Sequence, residues 1–152
     1  MRYILLLGGN LGDVASTMND AISHIAAVCS VVKRSSIFES EPWGFNAVER
    51  FKNMAVEIDT DMEPISLLNE LQRIERLLGR RHKTVNRQYQ SRTIDIDILL
   101  CDSRVVDTER LTIPHKLMHL RRFALEPVAE YWADWQHQVL NKSVGELLQL
   151  LE

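Results

Sequence analysis

The stretch RTIDIDILLC, residues 92–101, reads as a buried β-strand that carries two carboxylates. Side chains two positions apart on a strand share a face. This alternation predicts a core-facing apolar face made of Ile94, Ile96, Ile98 and Leu100. The opposite face then holds Thr93, Asp95, Asp97 and Leu99.

The two aspartates on one face need an explanation, because like charges repel and an unpaired buried charge is costly. A cation between Asp95 and Asp97 removes the difficulty. Hard carboxylate oxygens favour Mg²⁺, which typically takes one or two carboxylates together with substrate phosphates. The sequence therefore predicts a metal site at this pair. A solvated face, with both aspartates in water or paired to arginine, is the alternative that the short D-x-D motif leaves open.

The chain around this strand is basic, although the 152-residue protein has a formal net charge of −3. Residues 80–122 contain ten Lys or Arg and five Asp or Glu. Arginine forks match phosphate oxygens in two-point contacts, and carboxylates for metal beside cations for phosphate are typical of phosphoryl-type transfer. The chain contains neither a phosphate-binding P-loop nor a dinucleotide-binding glycine motif. On charge alone, a solvated loop that binds nothing is the competing interpretation.

Working outward from residues 92–101, the apolar periodicity predicts an α+β fold. The predicted strands are 2–7, 31–39, 51–59, 92–101 and 104–107, and the predicted helices are 13–29, 64–78, 121–132 and 144–151. A β-α-β-β-α-β core is the ferredoxin-like order, a mostly antiparallel sheet with helices packed on it, here followed by C-terminal helices. We further predict a turn at Gly8-Gly9, a helix cap at Gly79 and a capping box at Ser143 and Glu146.

Length and composition predict one domain over residues 1–152. Apolar residues make up 45% and charged residues 26%, which is ordinary for a globular protein with a core. No apolar run is long enough to cross a bilayer, and the N-terminus lacks the pattern of a secretory signal. Cys29 and Cys101 match neither a metal-ligand spacing nor a disulfide framework. We therefore expect a reduced, cytoplasmic setting, and a monomer without a membrane or nucleic-acid partner.

Five stretches, spread in order along nearly the whole chain, form a further pattern. They are GGNLGD at 8–13, SEPWG at 40–44 with FKN at 51–53, QRIE at 72–75 with GR at 79–80, RTIDIDIL at 92–99, and ERLTIPH at 109–115 with Arg121 and Phe123. Together they resemble the 6-hydroxymethyl-7,8-dihydropterin pyrophosphokinase family, whose members move pyrophosphate from ATP to a pterin alcohol in the folate pathway. Two departures stand out: Gly9 replaces the family's serine, and Gln90-Ser91 replace its Gly-Pro.

The resemblance implies a role for each matched residue. Asp95 and Asp97 would hold two Mg²⁺ ions that bridge the phosphates of ATP, the co-substrate. The residues implied for the pterin are Ser40, Pro42, Trp43, Phe51, Asn53 and Phe123; the two phenylalanines would stack on the ring. The residues implied for ATP are Gln72, Glu75, Arg80, Arg92, Ile98, Arg110, Thr112, His115 and Arg121. The implied catalytic set is His82, Arg87, Arg92, Asp95 and Asp97.

Two other functions remain as alternatives. One is a non-catalytic nucleotide- or pterin-binding module on the same fold, which the retention of both aspartates and the arginines disfavours. The other is a metal-dependent nuclease or RNA-binding domain. Few aromatic residues accompany the basic segment, so platforms for stacking bases are scarce. The sequence therefore favours an ATP- and Mg²⁺-dependent pyrophosphokinase.

Overall fold

A computed structural model describes residues 1–40, 51–80 and 93–152, except for the side chain of Arg80. The described strands are β1 (Arg2–Gly9), β2 (Ser30–Arg34), β3 (Phe38–Ser40), β4 (Phe51–Asp59), β5 (Asp95–Cys101), β6 (Val106–Asp107), β7 (Thr112–Ile113), β8 (Gln136–His137) and β9 (Lys142–Ser143). The described helices are α1 (Val14–Ala26), α2 (Pro64–Arg80), α3 (Arg122–Trp132) and α4 (Val144–Gln149), with a 3₁₀ turn at Met118–Leu120. None of the helices in these ranges is long and apolar enough to cross a membrane.

The main sheet has the strand order β2-β4-β1-β5, and β3 also pairs with β4. All of these pairs are antiparallel. The continuous apolar run of β1 is buried from Tyr3 to Leu7, which suits a strand covered on both faces. Two small hairpins, β6–β7 and β8–β9, lie outside this sheet. The prediction of helices packed on a mostly antiparallel sheet is confirmed.

Helices cover both faces of the sheet. On the first face, α1 and α2 bury Met18, Ile25, Leu71 and Ile74 against alternate residues of the strands. On the second face, α3 and α4 do the same with Leu125, Val128, Val144 and Leu147. The predicted alternation of β4 is confirmed, because Met54, Val56 and Ile58 lie on the first face and Ala55 on the second.

The predicted single strand over 31–39 is wrong, because the structure has two strands separated at residues 35–37. Ser35 causes the break. Its backbone N–H donates to the carbonyl of Ala55 at 2.8 Å, and its hydroxyl oxygen accepts the backbone N–H of Ala55 at 2.9 Å. A side chain thus takes the place of one backbone partner, and the ladder resumes at β3.

Two predictions that rest on glycines also differ from the structure. The predicted turn at Gly8-Gly9 is wrong, because these residues extend β1 and pair with Asn53 and Lys52 of β4. The chain turns instead at Gly12, whose φ of 70° lies in the left-handed region that glycine adopts readily. The predicted cap at Gly79 is wrong as well, since α2 continues to Arg80. A capping glycine would have a positive φ, and among the described glycines only Gly12 has one.

A β-bulge in β5 corrects the predicted face of Leu100. The register pairs Leu5 with Ile98 but Ile4 with Leu100, which leaves Leu99 as an extra residue. Ile94, Ile96 and Ile98 lie on the first face as predicted. Beyond the bulge the faces exchange, so Leu100 lies on the second face.

The helix boundaries follow their capping residues. The Asp13 side chain accepts the backbone N–H of Ser16 at 3.1 Å, which starts α1. The predicted capping box is confirmed at the start of α4, where Ser143 and Glu146 satisfy each other's backbone N–H groups. This helix ends at Gln149, two residues before the predicted end.

Candidate active site

A cavity of about 210 Å³ opens on the second face of the sheet, beside the start of α3. Its lining residues are Leu6, Gly8, Ser40, Phe51, Asn53, Asp95, Asp97, Arg121 and Phe123. Four residues predicted for the pterin therefore lie around the same space as both predicted metal ligands and one predicted phosphate contact. Five different stretches of sequence meet at this point.

Two half-buried aromatic rings border the cavity. Phe51 begins β4 and pairs with Ser40 of β3, whereas Phe123 lies in the first turn of α3. The Arg121 guanidinium carbon lies 5.4 Å from the centroid of the Phe123 ring, within the range of a cation–π contact. Such rings can stack on a flat heterocycle.

A row of three residues crosses the cavity floor from strand to strand. Gly8 of β1 pairs with Asn53 of β4 on one side and with Asp95 of β5 on the other. Asn53 is 5% exposed, so its amide needs hydrogen-bond partners inside the protein or from a ligand. The floor therefore offers an amide on one side and a carboxylate on the other.

The paired carboxylates lie as the sequence predicts. Asp95 and Asp97 are both half-buried on β5 and both line the cavity, ahead of the bulge. Within residues 1–40, 51–80 and 93–152, no group of three or more His, Cys, Asp and Glu could hold a metal. Two hard oxygen donors, with the remaining ligands left to phosphate and water, fit Mg²⁺.

Glu75 reaches β5 from α2. One of its carboxylate oxygens, Oε2, accepts the backbone N–H of Ile96 at 2.6 Å. Ile96 lies between the two aspartates, and β5 forms an edge of the described sheet. A charged acceptor on this N–H holds the aspartate segment against α2. The resemblance implied an ATP contact for Glu75, and the backbone bond is a feature that the sequence did not reveal.

Arg110 is held against α2. Its Nη2 atom donates to Oδ1 of Asn69 at 2.7 Å and to Oε1 of Gln72 at 3.4 Å. Two residues predicted for ATP are thus brought together. Asn69 was missed, although it lies one helical turn before Gln72 and hence on the same helix face. Thr112, also predicted for ATP, lies in β7 opposite Asp107.

His115 is tied to the bulge in β5. Its backbone N–H donates to the Leu99 carbonyl at 2.8 Å. Its Nδ1 atom accepts the Leu117 N–H at 3.2 Å, so the neutral ring carries its proton on Nε2. Burial lowers the pKa of His115, the Asp97 carboxylate opposes this shift, and the Arg121 guanidinium adds to it. The neutral imidazole can therefore donate a hydrogen bond from Nε2.

Other predicted residues lie away from the cavity or outside the described chain. The Ile98 side chain is 3% exposed in the first-face core, so a ligand on the second face could meet its backbone only. Pro42, Trp43, His82, Arg87 and Arg92 lie outside the described residues, as does the side chain of Arg80.

The helix that carries Phe123 is anchored at its other end. The Trp132 indole N–H donates to Oε1 of Glu57 at 2.8 Å, in a buried contact. Arg2 donates to the other oxygen, Oε2, of the same carboxylate at 2.9 Å. The Glu130 carboxylate also accepts the backbone N–H of Ser36 at 2.9 Å. These contacts fix α3 on β4, and the sequence indicated only that Glu57 lies on a polar face.

Comparison with known proteins identifies a family that this chain matches. The family model for 7,8-dihydro-6-hydroxymethylpterin-pyrophosphokinase (HPPK) matches residues 4–133. A Bacillus subtilis 2-amino-4-hydroxy-6-hydroxymethyldihydropteridine pyrophosphokinase is 41% identical over 128 residues, which cover 83% of this chain and 75% of the relative. An enzyme of the same name from Methylorubrum extorquens is 40% identical over 135 residues, covering 88% and 84%.

A solved structure shares the fold. The crystal structure of wild-type Plasmodium falciparum HPPK-DHPS matches with a TM-score of 0.73 at 16% identity. The match covers 98% of this chain and 40% of that one, so this chain spans less than half of the Plasmodium protein. At this identity the likeness bears on the fold alone.

Proposed function

This chain belongs to the 7,8-dihydro-6-hydroxymethylpterin-pyrophosphokinase family, and we propose that it transfers pyrophosphate from ATP to 6-hydroxymethyl-7,8-dihydropterin. The products are AMP and the pterin diphosphate, an intermediate of folate biosynthesis. The named relatives, at 40–41% identity over most of the chain, support this reaction. The observation that carries it is one cavity in which two aromatic rings, a buried amide and two carboxylates converge.

The pterin occupies the aromatic end of the cavity. Phe51 and Phe123 stack on its flat ring, and the Asn53 amide reads its polar edge, because an amide offers both donors and an acceptor. Ser40, with Pro42 and Trp43, supplies further contacts on this side. This orientation directs the hydroxymethyl group towards Asp95 and Asp97, across Gly8.

The phosphates of ATP lie at the carboxylate end. Asp95 and Asp97 would hold Mg²⁺, two ions in our proposal, and the bound metal would neutralise phosphate charge and lower the pKa of the alcohol. Arg80, Arg87, Arg92, His82 and Arg121 meet phosphate oxygens and stabilise the charge that develops during transfer. The alcohol oxygen attacks the β-phosphorus, the bond from that phosphorus to the α,β-bridging oxygen breaks, and AMP leaves.

The rest of the nucleotide follows α2 and the segment after β5. Gln72 and Arg110, which share a hydrogen bond at 3.4 Å, line this side together with Thr112 and the backbone of Ile98. The neutral His115 donates from Nε2 towards the nucleotide. Glu75 contributes by holding the Ile96 N–H and thereby the two aspartates.

Several broader expectations belong with this proposal. We propose that residues 1–152 form one pyrophosphokinase domain, which the family match over 4–133 supports. We assign its core to the ferredoxin-like arrangement, on the support of the strand order β2-β4-β1-β5. The monomeric state, the cytoplasmic setting and the absence of a nucleic-acid or membrane partner stay predictions.

Formation of AMP tests the proposal directly. Purified protein is mixed with ATP, Mg²⁺ and the pterin alcohol, and AMP and pterin diphosphate are separated chromatographically. We expect equimolar products that require the pterin and the metal, and near-complete loss of turnover in Asp97→Asn. Binding of both substrates without AMP would favour the non-catalytic module instead. Turnover in Asp97→Asn equal to that of the unmodified protein would refute the metal role of this residue.

A further inference from the structure

Gly8 occupies the centre of the cavity floor, and the roles proposed so far do not use it. It pairs with Asn53 on one side and with Asp95 on the other. Leu6, two residues earlier on β1, lines the same cavity. Since alternate side chains of a strand share a face, a substituent at Gly8 would point into the cavity.

Little space exists for such a substituent. A Cβ atom added to Gly8 would lie 2.6 Å from Oδ1 of Asn53 and 3.6 Å from its Cγ. The first distance is far below a normal carbon–oxygen contact, whereas the second is an ordinary one. Asn53 would have to turn its amide away, and at 5% exposure that movement takes place inside the protein.

A glycine inside a paired strand also has a cost, because it weakens the strand and packs no side chain. Glycine at such a position often marks the close approach of a ligand or of another chain segment. Here the approaching group is the Asn53 oxygen, which lies over the backbone of β1. The missing side chain therefore leaves the space that the amide occupies in its present orientation.

We propose that Gly8 is a specificity-determining residue: by leaving room for Asn53, it fixes the amide that selects the amino- and oxo-bearing edge of the pterin. This inference rests on the proposed function. A site built to hydrogen-bond a substrate rejects analogues that lack the partner group, because the buried polar groups of the site are then left unpaired. A side chain at position 8 would remove that selection through Asn53, without touching the phosphate end.

The test is a double-mutant cycle on pterin binding. Calorimetry, with a non-hydrolysable ATP analogue present, measures binding of 6-hydroxymethyl-7,8-dihydropterin and of an analogue without the 2-amino group. We expect Gly8→Ala to weaken pterin binding by about ten-fold or more, to reduce discrimination against the analogue and to leave binding of the ATP analogue unchanged. Gly79→Ala is the matched control, because an added Cβ there meets nothing within 4 Å.

The second arm of the cycle uses Asn53→Ser, which removes the amide and relieves the contact. In that background Gly8→Ala should have little further effect on pterin affinity, since coupled residues are not additive. Equal losses in both backgrounds would overturn the inference, as would unchanged discrimination in Gly8→Ala. If Gly8→Ala alone does not fold, the double variant should fold and bind pterin like Asn53→Ser alone; a double variant that also fails to fold overturns the inference.

The same measurements separate this inference from the proposed function. If the unmodified protein fails to bind the pterin alcohol, the proposed function itself is wrong. If the unmodified protein binds and discriminates while Gly8→Ala does the same, only the role of Gly8 is wrong.

Discussion

Replacing Glu75 probes the bond that holds the aspartate segment to α2. Glu75→Ala removes the carboxylate that accepts the Ile96 N–H at 2.6 Å. Hydrogen bonds to charged groups contribute about 1.5–3 kcal/mol net, and Ile96 is only 3% exposed, so water replaces the acceptor poorly. We expect the free energy of unfolding to fall by about 1.5–3 kcal/mol.

The same change should slow catalysis, because Ile96 lies between Asp95 and Asp97. Small misplacements of catalytic groups cost up to about a hundred-fold in rate, so we expect turnover to fall by roughly ten- to a hundred-fold. Glu75→Gln retains an acceptor oxygen and should recover much of both losses. The assays are urea unfolding and AMP formation as a function of Mg²⁺ concentration.

Glu70→Ala is the matched control on the same helix. Glu70 pairs with Arg73 at 2.9 Å in a largely exposed contact, and such surface pairs contribute about 0–1 kcal/mol. If Glu75→Ala is as stable as this control, the bond to Ile96 does not contribute to the free energy of unfolding. If Glu75→Gln loses as much turnover as Glu75→Ala, the negative charge acts at the nucleotide and the positioning role is wrong.

Three other predictions address the pterin contact, the anchor of α3 and the pH dependence of stability. Phe123→Ala should weaken pterin binding by about ten-fold in calorimetry through lost stacking and spare the ATP analogue; unchanged pterin affinity would exclude the ring from the site. Trp132→Phe leaves the buried Glu57 oxygen without its indole donor and should lower the unfolding free energy by about 1.5–3 kcal/mol. Trp135→Phe is its control, and equal effects in urea unfolding would contradict the anchor. Burial and the nearby His119 lower the pKa of His137. As the pH falls, the unfolded chain therefore takes up a proton at a higher pH than the folded protein does, and the free energy of unfolding should fall as the pH drops through about 6.5. In His137→Asn, whose amide can still accept the Leu140 N–H, this fall should be shallower; identical pH profiles would show that another group titrates.

The sequence was most informative where a local pattern determines the structure. The alternation over residues 51–59 predicted both the bounds and the faces of β4, because period two with one apolar side leaves a single way to bury the strand. The same reasoning placed Asp95 and Asp97 together on one face. The capping box at Ser143 was readable because its two partners are three residues apart.

Features that depend on residues distant in the chain could not be predicted from the sequence. The bulge at Leu99 is defined by the register between β5 and β1, and the sequence of β5 alone contains no residue that predicts it. Asn69 and Arg110 are far apart in sequence, and their contact follows from how α2 lies beside the segment after β6. Gly8 looked like part of a turn because glycine most often marks one; the crowding by Asn53 appears only when β4 lies beside β1.

The bulge at Leu99 divides β5 into two segments with opposite phase. Ahead of it, odd-numbered residues face the cavity and even-numbered residues face α1 and α2; behind it, Leu100 underlies α3 instead. The carbonyl of Leu99 itself accepts a hydrogen bond from the backbone N–H of His115. Deleting this one residue would restore regular alternation and leave Leu100 and Cys101 on their present faces, because Ile98, Leu100 and Cys101 already pair with three successive residues of β1. It would, however, detach the histidine from the strand that carries the aspartates. A single surplus residue thus sets the spacing between the acidic and imidazole groups of this protein.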